Sequence, residues 1–332
     1  AIIAGADMVI ELPTVFATAN AELFSKGAIK ILDSLNVVDT ICFGVESGEK
    51  EDYISLAKAM NNESKEFKKI LKEKLDSGIS LAKAKFEALK EMGEDNLKEE
   101  LISSPNNILG LEYTKALLSL NSKIEIEPLK RENTHNDKKL KKGISSALSI
   151  REKLKVGKIK ALKKSLPKFV YSSITPYPFE FENLILSSVI LEDINNMGKI
   201  CDCTEGLENR IKALVKDNLT LPSLIEKVAT KRYTETRIKR ILISTFLKID
   251  KDLIENSLND DLYVKILAIN KDDTEFLSQI CSSSRYQVLT RKSDTLKLKD
   301  TALKCFNKDV LANDLYNLVS QNKTNENNMI II

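Results

Sequence analysis

The 332-residue chain has a single histidine, His135, and only five cysteines, Cys42, Cys201, Cys203, Cys281 and Cys305. An odd, scattered set of thiols argues against a disulfide framework and for the reduced cysteines of a cytoplasmic protein. Cys201-Asp202-Cys203 is the one close pair; with the histidine far away and no second pair, no metal site is expected. One histidine also leaves no Ser/His/Asp or Cys/His constellation for a protein nucleophile, so no catalytic side chain can be named. No apolar run approaches the roughly 20 residues that span a bilayer, so no membrane partner is expected. The opening Ala1-Ile2-Ile3-Ala4-Gly5 soon meets acidic residues and is unlike a signal peptide. There is no initiator methionine, and Val9-Ile10 reads as a buried strand reached almost at once, so the chain is expected to begin inside a domain.

What is present fits a globular protein: 42% hydrophobic and 30% charged residues, at a length that suggests about two domains. The net charge of +3 hides strong segregation. Residues 130–168 hold 14 Lys or Arg against 3 Asp or Glu, and residues 227–240 hold 6 against 1, which leaves the rest of the chain strongly acidic. Concentrated positive regions on an acidic background suit a polyanion, nucleic acid above all, although solvated Lys-rich helix faces give the same composition.

Residues 6–12, stopped by Pro13, and 37–44, ending at Gly44, read as strands, and the apolar stripe in 20–36 reads as a helix between them. This spacing predicts a βαβ unit and a parallel sheet, with Gly44 at a strand's carboxyl end where backbone can approach a ligand. Residues 51–101 are strongly helical, and Ser103-Ser104-Pro105-Asn106-Asn107 starts another helix. A strand follows at 124–129, closed by Lys130-Arg131-Glu132-Asn133. Beyond it Ser145, Ser146 and Ser149 stand at a helix start, with Arg151 in its first turn. Hydroxyls, guanidinium groups and free helix N–H groups make this a phosphate-binding stretch. Pro167, Pro176 and Pro178 mark a domain crossing within 162–178. Helical segments are then expected at about 179–195, 206–217, 221–229, 234–247, 251–256, 260–269 and 272–283, with a short strand at 286–290 and a frayed polar end at 321–328. In 230–240 Thr234 reads as an N-cap and Ile238, Ile241 and Leu242 as the core face. That leaves Lys231, Arg232, Arg237, Lys239 and Arg240, with Tyr233, as RNA contacts.

Seven runs, in order and nearly end to end, resemble the tRNA(Met) cytidine acetate ligases of the nucleotidyltransferase-like superfamily. They are Gly5-Ala6-Asp7-Met8-Val9-Ile10-Glu11-Leu12-Pro13, Cys42-Phe43-Gly44-Val45-Glu46, Ser104-Pro105-Asn106-Asn107-Ile108-Leu109-Gly110, Lys130-Arg131-Glu132-Asn133, Ser146-Ala147-Leu148-Ser149-Ile150-Arg151, Glu205-Gly206-Leu207-Glu208-Asn209-Arg210 and Lys231-Arg232-Tyr233-Thr234. The resemblance implies an α/β fold: an incomplete parallel-sheet, Rossmann-like ATP-binding domain over 1–165, then a mostly helical tRNA-binding domain over 166–332. It implies that ATP, with Mg2+, activates acetate as acetyl-adenylate, and that the acetyl group passes to N4 of the wobble cytidine of elongator tRNA(Met). It points to Gly44, Asn106 and Arg131 as ATP contacts and, by a second phosphate motif, to Ser149 and Arg151. The family's Asn-Pro-Phe-His-Asn-Gly-His loop is not among these residues. The expectation is that these 332 residues alone show no ATP–pyrophosphate exchange. A non-catalytic RNA-binding or assembly protein is the competing reading, and an adenylyltransferase making a small cofactor is a third. Oligomeric state is not legible.

Overall fold

The computed structural model describes the chain apart from residues 63, 80, 94–97, 103, 132–139, 141–144, 175–179, 219, 231 and 321–327, and apart from the side chains of 81, 82, 180 and 274. Lys231, His135, Glu132-Asn133 and most of the polar end at 321–328 therefore lie outside the described residues. The chain forms two compact units, one of Ala1–Val37 with Tyr177–Ile332 and one of Val38–Pro176. The second unit ends at Pro176, within the proline-rich stretch 162–178. The first crossing, between Val37 and Val38, carries the first 37 residues away from the strand they were expected to join.

In the unit of 38–176, strands β2 (Thr40–Val45) and β3 (Glu125–Lys130) run parallel, in register from Thr40↔Glu125 to Val45↔Lys130. The ladder continues one step, Arg131 N–H donating to the Val45 carbonyl at 2.8 Å. The helical stretch after β2 is three helices, Lys50–Asn61, Lys65–Asp76 and Leu81–Glu91. The breaks have local causes: Ser64 caps the second helix by accepting from Phe67 N–H, and Gly78 turns with φ +85°. The helix Pro105–Ser119 returns to the strands, and Tyr53, Leu56, Phe67, Phe86, Leu101, Leu111 and Ile126 fill the core. Gly110 lets it come close, because a Cβ there would sit 2.5 Å from Phe43 Cε2. The unit ends with the helix Ala147–Lys155, the 3-10 turn Ile159–Lys164 and the short helix Lys168–Tyr171, gathered around the fully buried Leu162.

In the other unit β1 (Met8–Ile10) pairs antiparallel with β4 (Tyr263–Ile269), through Met8↔Ile269, Val9↔Ala268 and Ile10↔Ile266. β5 (Gln287–Leu289) and β6 (Ile330–Ile331) pair parallel with β4. Two expectations are corrected here. Residues 6–12 and 37–44 do not make one βαβ sheet, although the helix between them is present as Ala21–Ser34, capped by Asn20. Residues 260–269 are not helical: Tyr263-Val264-Lys265-Ile266-Leu267-Ala268-Ile269 is the central strand. A short apolar run buried on both faces has no periodicity to separate strand from helix, and only its neighbours decide. Helices Glu180–Leu191, Leu207–Leu214, Leu221–Val228, Glu235–Leu247, Lys251–Asn259, Thr274–Ser283 and Asp300–Ser320 belong to the same unit, with a few shorter turns of helix. Asp309, on the last of these, is buried; it accepts from Thr14 N–H at 2.7 Å and from the Tyr263 hydroxyl. Beside it Lys265 pairs with Glu11 at 2.6 Å. Among the described residues no helix is long and apolar enough to cross a membrane.

Candidate nucleotide site and basic segments

β2 stops at Val45, and the chain leaves it through Glu46 and Ser47. One buried side chain holds that turn. Asn107, 1% exposed in the first turn of Pro105–Ser119, accepts from the Glu46 backbone N–H at 2.8 Å, and its amide donates to Ser47 Oγ and to the Glu100 carbonyl, both at 2.9 Å. Ser104, the helix N-cap, accepts from Asn107 N–H and donates to Glu46 Oε2 at 2.6 Å. Asn106 Nδ2 donates to Glu46 Oε1 at 2.6 Å. Partial burial would raise the Glu46 carboxyl, but the Ser104 and Asn106 hydrogen bonds and the nearby Arg131 guanidinium outweigh it and hold the group below its ordinary value. Glu46 is thus ionised, with both oxygens taken.

Arg131 comes near this carboxylate over Gly44, which has no side chain to bar it. A Cβ on Gly44 would sit 3.2 Å from Arg131 Cγ and 3.6 Å from its Nη1, so the arginine stem lies over the glycine at the end of the strand pair. Gly44, Asn106 and Arg131, distant in sequence, therefore meet around Glu46 at the carboxyl ends of two parallel strands, where ligands bind in open parallel sheets. An exposed guanidinium near a carboxylate, an amide edge and a bare backbone suit an anionic, planar ligand such as a nucleotide. Glu46, Asn107 and Ser104 were missed as organisers. The available signal was an acidic residue just after a strand-ending glycine, which local propensity does not single out.

Ser149 and Arg151 are not placed in that cluster by any described contact. Ser149 is fully buried, and its hydroxyl donates to the Ser146 carbonyl at 2.8 Å inside its own helix start. Ser146 caps the helix by accepting from Ser149 N–H. Arg151 is exposed, without an ion pair among the described residues.

In the other unit Thr234 caps Glu235–Leu247, and Ile238, Ile241 and Leu242 face the core, as the spacing predicted. The arginines beside them are occupied. Arg237 donates to the Asp202 carbonyl and to Thr204 Oγ1, both at 2.8 Å, and lies 5.3 Å from the Tyr233 ring centre. Arg240 pairs with the Asp202 carboxylate at 2.8 Å, and Arg232 with Glu205. These contacts brace a loop in which Asp202, Glu205 and Gly206 all have positive φ. Lys239, paired with Glu235 at 3.3 Å, is exposed. Cys203, buried in the same loop, has its thiol pushed up to about 12 by desolvation and then by Glu208, so it is no nucleophile. Among the described residues no group of three His, Cys, Asp or Glu side chains is placed to hold a metal ion.

Residues 1–329 match the family model of HIGH Nucleotidyl Transferase. A Thermoanaerobacter sp. (strain X514) protein named tRNA(Met) cytidine acetate ligase is 37% identical over 333 residues, covering 97% of this chain and 82% of its own length. One of the same name from Clostridium botulinum (strain Loch Maree / Type A3) is 37% identical over 337 residues, covering 96% and 80%. The crystal structure of apo Thermotoga maritima TmcAL superimposes with a TM-score of 0.91 at 26% identity, over all of this chain and 86% of that one. The same protein bound with alpha-thio ATP gives 0.88 over the same shares. The chain therefore belongs to the HIGH nucleotidyl transferase family and, within it, to the tRNA(Met) cytidine acetate ligases.

Proposed function

We propose that the protein is an ATP-dependent tRNA-modifying ligase that activates acetate as acetyl-adenylate and acetylates N4 of the wobble cytidine of elongator tRNA(Met). The observation that carries the reading is the convergence of Gly44, Asn106 and Arg131 on Glu46 at the ends of β2 and β3. In the first step an acetate oxygen attacks the α-phosphorus of ATP, the bond to the bridging α–β oxygen breaks, and pyrophosphate leaves. In the second the cytidine amine attacks the acyl carbon, AMP departs and the amine loses a proton. Neither step needs a nucleophile from the protein. The work of the chain is positioning and charge stabilisation. Arg131, its stem laid over Gly44, faces phosphate charge; Asn106 offers its amide edge; Arg151 supplies a second cation, and Ser149 orders the helix start that carries it. Glu46 has no free oxygen for a metal, so the cluster suits Mg2+ carried on the nucleotide's own phosphates rather than held by protein carboxylates. The tRNA contacts fall to Arg232 and Lys239, while Arg237 and Arg240 brace the loop of Asp202 and Thr204.

The test is equilibrium binding of a non-hydrolysable ATP analogue. Replacing Arg131→Ala removes a charge-assisted contact of about 2 kcal/mol, which weakens Kd about thirtyfold. An unchanged Kd sinks the assignment.

A further inference from the structure

We propose that the surface over residues 151–168 binds the phosphodiester backbone of the tRNA, on the same compact unit as the nucleotide cluster. This rests on the function proposed above for its choice of partner, and goes beyond it by placing an RNA contact on residues not assigned to one there. The three short elements of this stretch enclose Leu162, Ser149 and Ser165 and turn their cations outward. Arg151, Lys158, Lys160, Lys163, Lys164 and Lys168 are all exposed. The only acid from 151 to 168 is Glu152, which lies 3.9 Å from Lys155. None of those six cations has an ion pair among the described residues. The contrast with the 232–240 segment is physical: there Arg232, Arg237 and Arg240 spend their donors on Glu205, Asp202 and Thr204. Like charges crowded into one short stretch without acidic partners repel one another, and a polyanion that displaces their counterions relieves the repulsion.

RNA is favoured over an anionic membrane. A membrane-surface element needs a broad apolar face to insert, whereas the exposed apolar residues here are Val156 and Val170, set singly among the lysines. Half-exposed Phe169 and Tyr171 add rings that can pack on riboses or unpaired bases.

The experiment compares tRNA(Met) binding by the full chain and two charge-matched triple variants across a salt series. Lys160→Gln/Lys163→Gln/Lys164→Gln is expected to weaken Kd about tenfold at moderate salt. It flattens the slope of log K against log salt by about 2, since each lost phosphate contact removes about 0.7–0.9. Lys65→Gln/Lys69→Gln/Lys72→Gln removes the same charge from the helix Lys65–Asp76 and leaves both quantities within twofold. Affinity for the ATP analogue, measured alongside, reports that each variant is folded. Equal losses from the two triple variants, or none from the first, overturn the surface while leaving the proposed function standing. Binding of anionic vesicles but not tRNA through these lysines also overturns it. Failure of the unaltered chain to bind tRNA at all sinks the proposed function instead.

Discussion

Asn107→Asp is the most informative single substitution in the nucleotide-binding unit, because it changes hydrogen-bond polarity without changing shape. The side chain is 1% exposed. Its Oδ1 contact to the Glu46 N–H at 2.8 Å survives the change. The two amide donations, to Ser47 Oγ and the Glu100 carbonyl at 2.9 Å, do not. Losing them costs about 1 kcal/mol each, and a buried carboxylate oxygen set against a carbonyl adds about 1–3 kcal/mol, so about 3–5 kcal/mol is expected at pH 7. The protonated form can donate to Glu100 and recovers one bond. The folded-state pKa of the new group is thus raised above its unfolded value of about 3.9, and the stability this provides is present at low pH and lost as pH rises. Urea unfolding measures the difference: with an m-value of about 2 kcal/mol/M, the midpoint drops by about 2 M at pH 7 and by clearly less at pH 4, each against the unaltered protein. Because Asn107 carries the Glu46–Ser47 backbone, ATP-analogue affinity falls with it. A variant within 0.5 kcal/mol of the parent at both pH values refutes the view that this amide pins the turn.

Other substitutions separate packing from binding. Gly44→Ala pushes a methyl to 3.2 Å from a flexible arginine stem, so stability changes by less than about 1 kcal/mol while nucleotide Kd rises about tenfold; calorimetric titration and a melt distinguish the two. Gly110→Ala drives a methyl to 2.5 Å from Phe43 Cε2 and 3.2 Å from Tyr53 Cε1, both in a packed aromatic cluster, and denaturant melts should register about 1–3 kcal/mol of lost stability. Burial, then the charge of Glu11, raises Asp309 to about 7 against the Tyr263 and Thr14 hydrogen bonds, which lower it. Its contribution to stability is present below about pH 4 and lost as pH rises to about 7. Asp309→Asn removes that dependence, and parallel melting profiles for the two proteins from pH 4.5 to 8 would contradict it.

Local elements were legible to within a few residues where a cap or a breaker spoke. Ser104, Ser146 and Thr234 each cap the helix that the sequence placed after them, and the core face of Glu235–Leu247 is the predicted one. The resemblance selected Gly44, Asn106 and Arg131 without showing why they belong together. That reason is Glu46, whose role depends on two hydrogen bonds and a guanidinium from segments about 60 and 85 residues away, beyond the reach of local patterning.

The amino-acid sequence alone determined most of the helices and their caps, the segregation of positive charge and the family to which the chain belongs, because these depend on residue type, spacing and order. Tertiary structure decided the rest. Strand partners were not local: Met8–Ile10 found Tyr263–Ile269 because both are short apolar runs that can be satisfied only by pairing across the chain. Charge segregation was equally blind to neutralisation. Two basic stretches look alike in sequence, yet one is braced against Asp202 and Glu205 while the other keeps its lysines open to solvent. The strength of a charge as a binding group depends on what lies within a few ångströms of it, and only the fold sets that distance.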